Sequence, residues 1–170
     1  MKTALRNKIK LIWIILPVVI LFLLACAGHQ LEVEPISKSE NPQELINKLD
    51  NDIALARKNQ INVLAPTWFE RAESSLKAAK KGLEKGDLLS EILDNIAIGR
   101  AQLQRAVEIA KVSRITLPDA IKARTMARNA GATSLGDAYT DAEERFIGLT
   151  QAIEDNNLNY AQQSQARMVE

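Results

Sequence analysis

The sequence predicts an all-α fold, a bundle of about six helices built from two similar helical-hairpin units. Three observations predict it. Aromatic residues make up only 4% of the chain while alanine is abundant, a composition that suits helices in close contact better than a sheet sandwich. Apolar residues recur at spacings of three and four over long stretches, which holds them on one helical face. The same pattern then returns seventy residues further along, as in a structural repeat.

Residues 26–41 read as a flexible tether, because they show no helical period and contain Pro35. At Asn41-Pro42-Gln43-Glu44 the signal changes. Asn suits the cap, Pro the first helical position and Glu the third, so a helix is expected from Pro42 to about Lys58, with Leu45, Leu49, Ile53 and Ala56 on its apolar face. Ala65-Pro66 opens a second helix whose seam is Phe69, Ala72, Leu76, Ala79 and Leu83. Gly86 can take the left-handed conformation after a helix and Asp87 can cap the next, which predicts a hairpin. The third helix, about Leu88 to Ser113, continues the spacing through Leu89, Ile92, Ile96, Gly99, Leu103, Ala106 and Ala110, and would be roughly 39 Å long. Pro118 opens a fourth, short helix to about Asn129.

Seventy residues after the first seam stand Tyr139, Ala142, Phe146, Leu149 and Ile153. Glu73 and Glu84 are matched by Glu143 and Glu154, Asn59 by Asn129, and the Gly86-Asp87 turn by Asn156-Asn157. Alanine-rich helices share a three-four period in any case, but that period does not predict matching glutamates and a matching turn at one offset. The helical domain, residues 42–170, therefore divides into units of about 42–113 and 114–170, each a short helix, a loop and a hairpin. The returning helix of the second hairpin begins near Leu158 and is shorter than its counterpart.

Residues 1–25 are of another kind. Lys2, Arg6, Lys8 and Lys10 precede an uncharged apolar stretch, Leu11 to Leu24, and Ala25 is the small residue expected before a cleavage site, so a signal peptide is predicted. The stretch without charge reaches Gly28, at the lower edge of a membrane-spanning helix, and an uncleaved anchor is the alternative. Leu23-Leu24-Ala25-Cys26 resembles the lipobox of bacterial lipoproteins, and Cys26 is the only cysteine of the chain. The resemblance implies cleavage before Cys26, a diacylglycerol on its sulfur and an acyl chain on its new amino group. Each buried methylene contributes about 0.8 kcal/mol of membrane affinity, and two or more chains make an anchor stable. Because Ala27, not Asp, follows the cysteine, the family's sorting pattern implies the outer membrane, with the domain facing the periplasm.

Without those residues, 18 basic side chains face 21 acidic ones. A balance near −3 has neither the basic footprint of a nucleic-acid partner nor a polybasic patch for anionic lipid.

Ala127-Arg128-Asn129-Ala130-Gly131-Ala132, Leu135, Ala142 and the Glu154 turn, with Leu64-Ala65-Pro66, Ala72, Leu76, Ala79 and Gly86-Asp87, resemble an uncharacterised helical-hairpin domain of bacterial envelope lipoproteins that often precedes an OmpA-like peptidoglycan-binding domain. The resemblance covers roughly residues 42–170 and leaves no room in this sequence for an OmpA-like domain. It implies location and fold, and envelope proteins or peptidoglycan as partners.

Chemistry is sparse in these residues. His29 is the only histidine and lies in the tether, where no partner can be fixed around it. No cysteine nucleophile, metal-ligand cluster or phosphate loop is expected, and hence no cofactor. Glu143, Glu144 and Asp94, beside Arg145 and Arg100, read as solvated helix faces. Trp68 and Phe69 are the one aromatic concentration, either a packed helix start or a partner contact. The expectation is a non-catalytic structural or interaction module. The alternative is an accessory protein holding a small molecule between its hairpins, which would need a cavity of a few hundred cubic ångströms.

Overall fold

The computed structural model describes residues 31–169, and side chains as far as Arg167. The predicted signal peptide, Cys26 and His29 lie outside the described residues. Seven helices follow one another: α1 (Pro42–Lys58), α2 (Ile61–Leu64), α3 (Pro66–Lys85), α4 (Leu89–Thr116), α5 (Pro118–Asn129), α6 (Asp137–Glu154) and α7 (Leu158–Val169), with a 3-10 turn at Ala132–Leu135 ahead of α6. No strand occurs among the described residues. No helix among them is long and apolar enough to cross a membrane.

The start of α1 follows from its first four residues. The Asn41 side chain accepts from the Gln43 and Glu44 amides at 2.9 and 3.5 Å, Pro42 has no amide to satisfy, and Arg57 and Lys58 sit in the last turn. Leu45, Leu49, Ile53 and Ala56 are buried as their spacing requires, together with Ile46. Ahead of α1 the chain is non-helical apart from a turn in which the Glu40 amide donates to the Ser37 carbonyl. It lies along α4: Ile36 packs on the core, and Pro35, Ile36 and Glu40 face Ala97, Arg100 and Ala101.

In α3, Phe69, Ala72, Leu76 and Ala79 are buried and Leu83 is partly so. The helix ends at Gly86, whose φ of +73° only glycine adopts without cost; the Asp87 amide then donates to the Gly82 carbonyl at 2.9 Å and the Gly86 amide to Leu83 at 3.3 Å. α4 is the central element and touches every other helix. It is accordingly buried on more than the one predicted seam, with Leu93, Ala97, Ala101, Ile109 and Ser113 joining Ile92, Ile96, Gly99, Leu103, Ala106 and Ala110. Leu89, expected on the seam, is 40% exposed.

The repeat is present in three dimensions. After α6, Asn156 takes φ +60°, the Asn157 amide donates to Ala152 at 2.7 Å and the Asn156 amide to Ile153 at 3.0 Å. These are the bonds of the Gly86 turn, seventy residues on. The first helix of each unit also ends alike, in a left-handed residue (Gln60, φ +61°; Gly131, φ +83°) followed by a single helical turn. There the offset is seventy-one: Asn59, whose amide bonds to Leu55, corresponds to Ala130, whose amide bonds to Met126, not to Asn129. The units diverge where the second hairpin is short. Phe146, Leu149 and Ile153 are buried, but Ala142 is exposed and Tyr139 half-buried, since α7 covers only the C-terminal part of α6.

Candidate functional site

The two hairpin units meet at the start of α3, where the aromatic pair lies. Ala65, the residue before Pro66, has no side-chain acceptor to offer the exposed amides of the first turn. They are satisfied from far along the chain. The Glu154 carboxylate, at the end of α6, accepts from Thr67 N at 3.1 Å and from Trp68 N at 3.0 Å, placing a negative charge where the aligned peptide dipoles of α3 favour one. Next to this cap, Trp68 is half-buried with the Arg71 guanidinium 4.6 Å from its ring centre. Phe69 is 2% exposed, so its ring belongs to the core and only Trp68 of the pair can meet a partner.

A second junction lies beside it. Arg124 of α5 is 8% exposed and makes a forked pair with Glu143 of α6, Nε to Oε1 at 2.8 Å and Nη2 to Oε2 at 2.7 Å, while Nη1 donates to Gln60 Oε1 at 2.9 Å. Its guanidinium stands 5.2 Å from the Phe146 ring centre. Glu143 is therefore not a solvated residue paired with Arg145, as its sequence neighbours suggested. Its partner comes from another helix, which local spacing cannot reveal. Partial desolvation, with the Glu143 carboxylate close by, holds the Tyr139 phenol above its ordinary pKa of 10.0. Unit one has a more exposed version of the same device, in which Arg57 pairs with Glu73 and covers Phe69.

The sequence carried one sign of Arg124: it falls in register with Ala120 and Ala127, on the apolar side of α5, where Ile53 stands in α1. An arginine on a seam is a polar group that needs a buried partner. Glu144 and Asp94 are exposed, and neither has a cation within 4.0 Å among the described residues.

Two grooves border the second hairpin. The larger, about 490 Å³, runs between α5 and α7, with Ala123, Met126 and Ala166 as its apolar lining and Asp119, Lys122 and Gln162 at its edge. Gln165 closes one end by accepting from Ala120 N at 3.3 Å. The smaller, about 340 Å³, lies between α6 and α7. Among the described residues no group of three or more His, Cys, Asp and Glu side chains is placed to hold a metal ion. These features give the second unit two open troughs, and they leave its best-placed carboxylates, Glu143 and Glu154, engaged in structure.

No protein-family profile, curated protein or solved structure matches the chain.

Proposed function

We propose that this chain is a lipid-anchored, non-catalytic envelope protein that acts as a structural or protein-interaction module at the periplasmic face of a bacterial outer membrane. Leu23-Leu24-Ala25-Cys26, closing an apolar run behind four basic residues, is the observation that carries it. The architecture supports the same reading: units joined by the Glu154 cap on α3 and by the hydrogen bond from Arg124 to Gln60 make a stiff body, suited to holding Trp68 and its helix faces toward a partner. Labelled palmitate fed to cells expressing the protein should enter it, and Cys26→Ser should abolish both the labelling and maturation. Normal processing of that variant would remove the anchor, and with it this reading. The partner is then sought by crosslinking in intact cells followed by mass spectrometry.

The second reading, a small-molecule accessory protein, is favoured by the cleft between α5 and α7, which lies within the second unit and not between the hairpins as expected, and whose volume falls in the range a carrier needs. Its test is a tryptophan placed in the trough. Ala123→Trp should displace an apolar fluorescent probe if the cleft binds one, and unchanged probe binding would exclude it.

A further inference from the structure

Gly148 has no structural reason to be glycine. It sits in the interior of α6 without a positive φ, and a Cβ built on it meets no atom within 4 Å. Glycine weakens a helix interior relative to alanine, so a site that takes a methyl freely is expected to carry one. The first hairpin shows that this architecture does take one: the corresponding residue of α3 is Ala78, exposed as Gly148 is.

What Gly148 opens onto is the groove of about 340 Å³ between α6 and α7. Leu149 and Tyr160 supply its apolar walls, and Arg145, Ser164 and Arg167 its polar rim. The corresponding residues of the first hairpin, Ser75, Ser90, Asp94 and Ala97, include no cation. Among the described residues neither Arg145 nor Arg167 has a carboxylate within 4.0 Å, as is also true of Arg71, Arg100, Arg114 and Arg128, but these two share one groove. Two guanidinium groups thus border a trough whose floor lacks a side chain, and both features are confined to the second hairpin.

We propose that this groove binds a small aromatic carboxylate. The carboxylate meets the guanidinium of Arg145 or Arg167, each a planar fork that matches its two oxygens, and the flat ring lies on the bare backbone at Gly148 against Leu149 and the Tyr160 ring. The proposal is independent of the lipid anchor and of the cleft between α5 and α7.

The test is equilibrium dialysis of labelled benzoate against the full chain in detergent. Saturable binding is expected, weakened at least about tenfold by Gly148→Ala and by the double variant Arg145→Ala/Arg167→Ala, and full binding by that double variant would overturn the proposal. Gly148→Ala should at the same time raise the melting temperature, which separates loss of the site from loss of the fold. Lys77→Ala, on the other hairpin, should bind as the parent does. Failure of benzoate to saturate the parent, full binding by Gly148→Ala, or inorganic phosphate competing as well as benzoate would overturn the proposal. Palmitate labelling of Cys26 is unaffected by any of these outcomes, so the two readings stand or fall separately.

Discussion

At the scale of single residues, two positions show how closely the bundle is drawn together. A Cβ on Gly99 would come within 2.9 Å of Leu49 Cδ2 and 3.2 Å of Ser75 Cβ, so this glycine is where α4 touches both α1 and α3. Gly99→Ala should cost about 1 to 3 kcal/mol, measured by chemical denaturation, since Ser75 Cβ is fixed to its helix and the Leu49 side chain, fully buried, must repack to make room. Arg124 is the other. Arg124→Ile, which copies Ile53 of the first unit, leaves Glu143 without its partner and should cost about 3 kcal/mol. Adding Glu143→Leu should recover most of that, because an apolar pair needs no desolvation of charge. A double variant no more stable than the single one would show that the pair is more than a packing substitute.

At the scale of elements, the turns and the remote cap carry the comparison between units. Gly86→Ala should destabilise by roughly 1 kcal/mol, because Cβ crowds the backbone at φ +73°, while Asn156→Gly at φ +60° should be neutral or slightly stabilising. The two glutamates that match in sequence have different work. Glu154 caps α3 from another helix, whereas Glu84 is exposed. Glu154→Ala should therefore cost about 1 to 2 kcal/mol and speed hydrogen exchange at the Thr67 and Trp68 amides, with Glu84→Ala near neutral on both measures. Equal effects would mean that the cap does not form in solution.

At the scale of the whole molecule, one core spans both units. Leu76 and Phe146 occupy the same place in equivalent seams, at 6% and 1% exposure, and belong to one continuous cluster. Leu76→Ala and Phe146→Ala should each cost about 2 to 5 kcal/mol in a single cooperative transition, while Lys77→Ala, one residue off the seam and exposed, should be close to neutral. Two separate transitions would mean that the hairpins fold independently despite their shared core. Buried polar groups serve the same unity: Ser113 donates to the Leu64 carbonyl at 2.7 Å, joining α4 to the end of α2.

The sequence by itself determined whatever is set within a turn or two of helix. Asn41-Pro42, Pro66, Gly86 and Pro118 marked helix boundaries correctly, because capping, the missing proline amide and left-handed backbone are local matters. The three-four spacing likewise named most of the core, and the offset of seventy named the second hairpin. It missed α2, whose single turn is too short to show a period, and it put the Asn59 correspondence one residue off. Only the tertiary structure decided that Phe69 is core while Trp68 is half open, that Glu143 belongs to Arg124, and that Glu154 caps a helix that begins eighty-eight residues earlier. The tertiary structure also decided that Ala142 faces solvent although it keeps the spacing of a seam residue. Spacing says which residues share a face; what covers that face, or pairs across it, depends on how far a neighbouring helix reaches, and Ala142 is exposed where Phe146, one turn on, is buried.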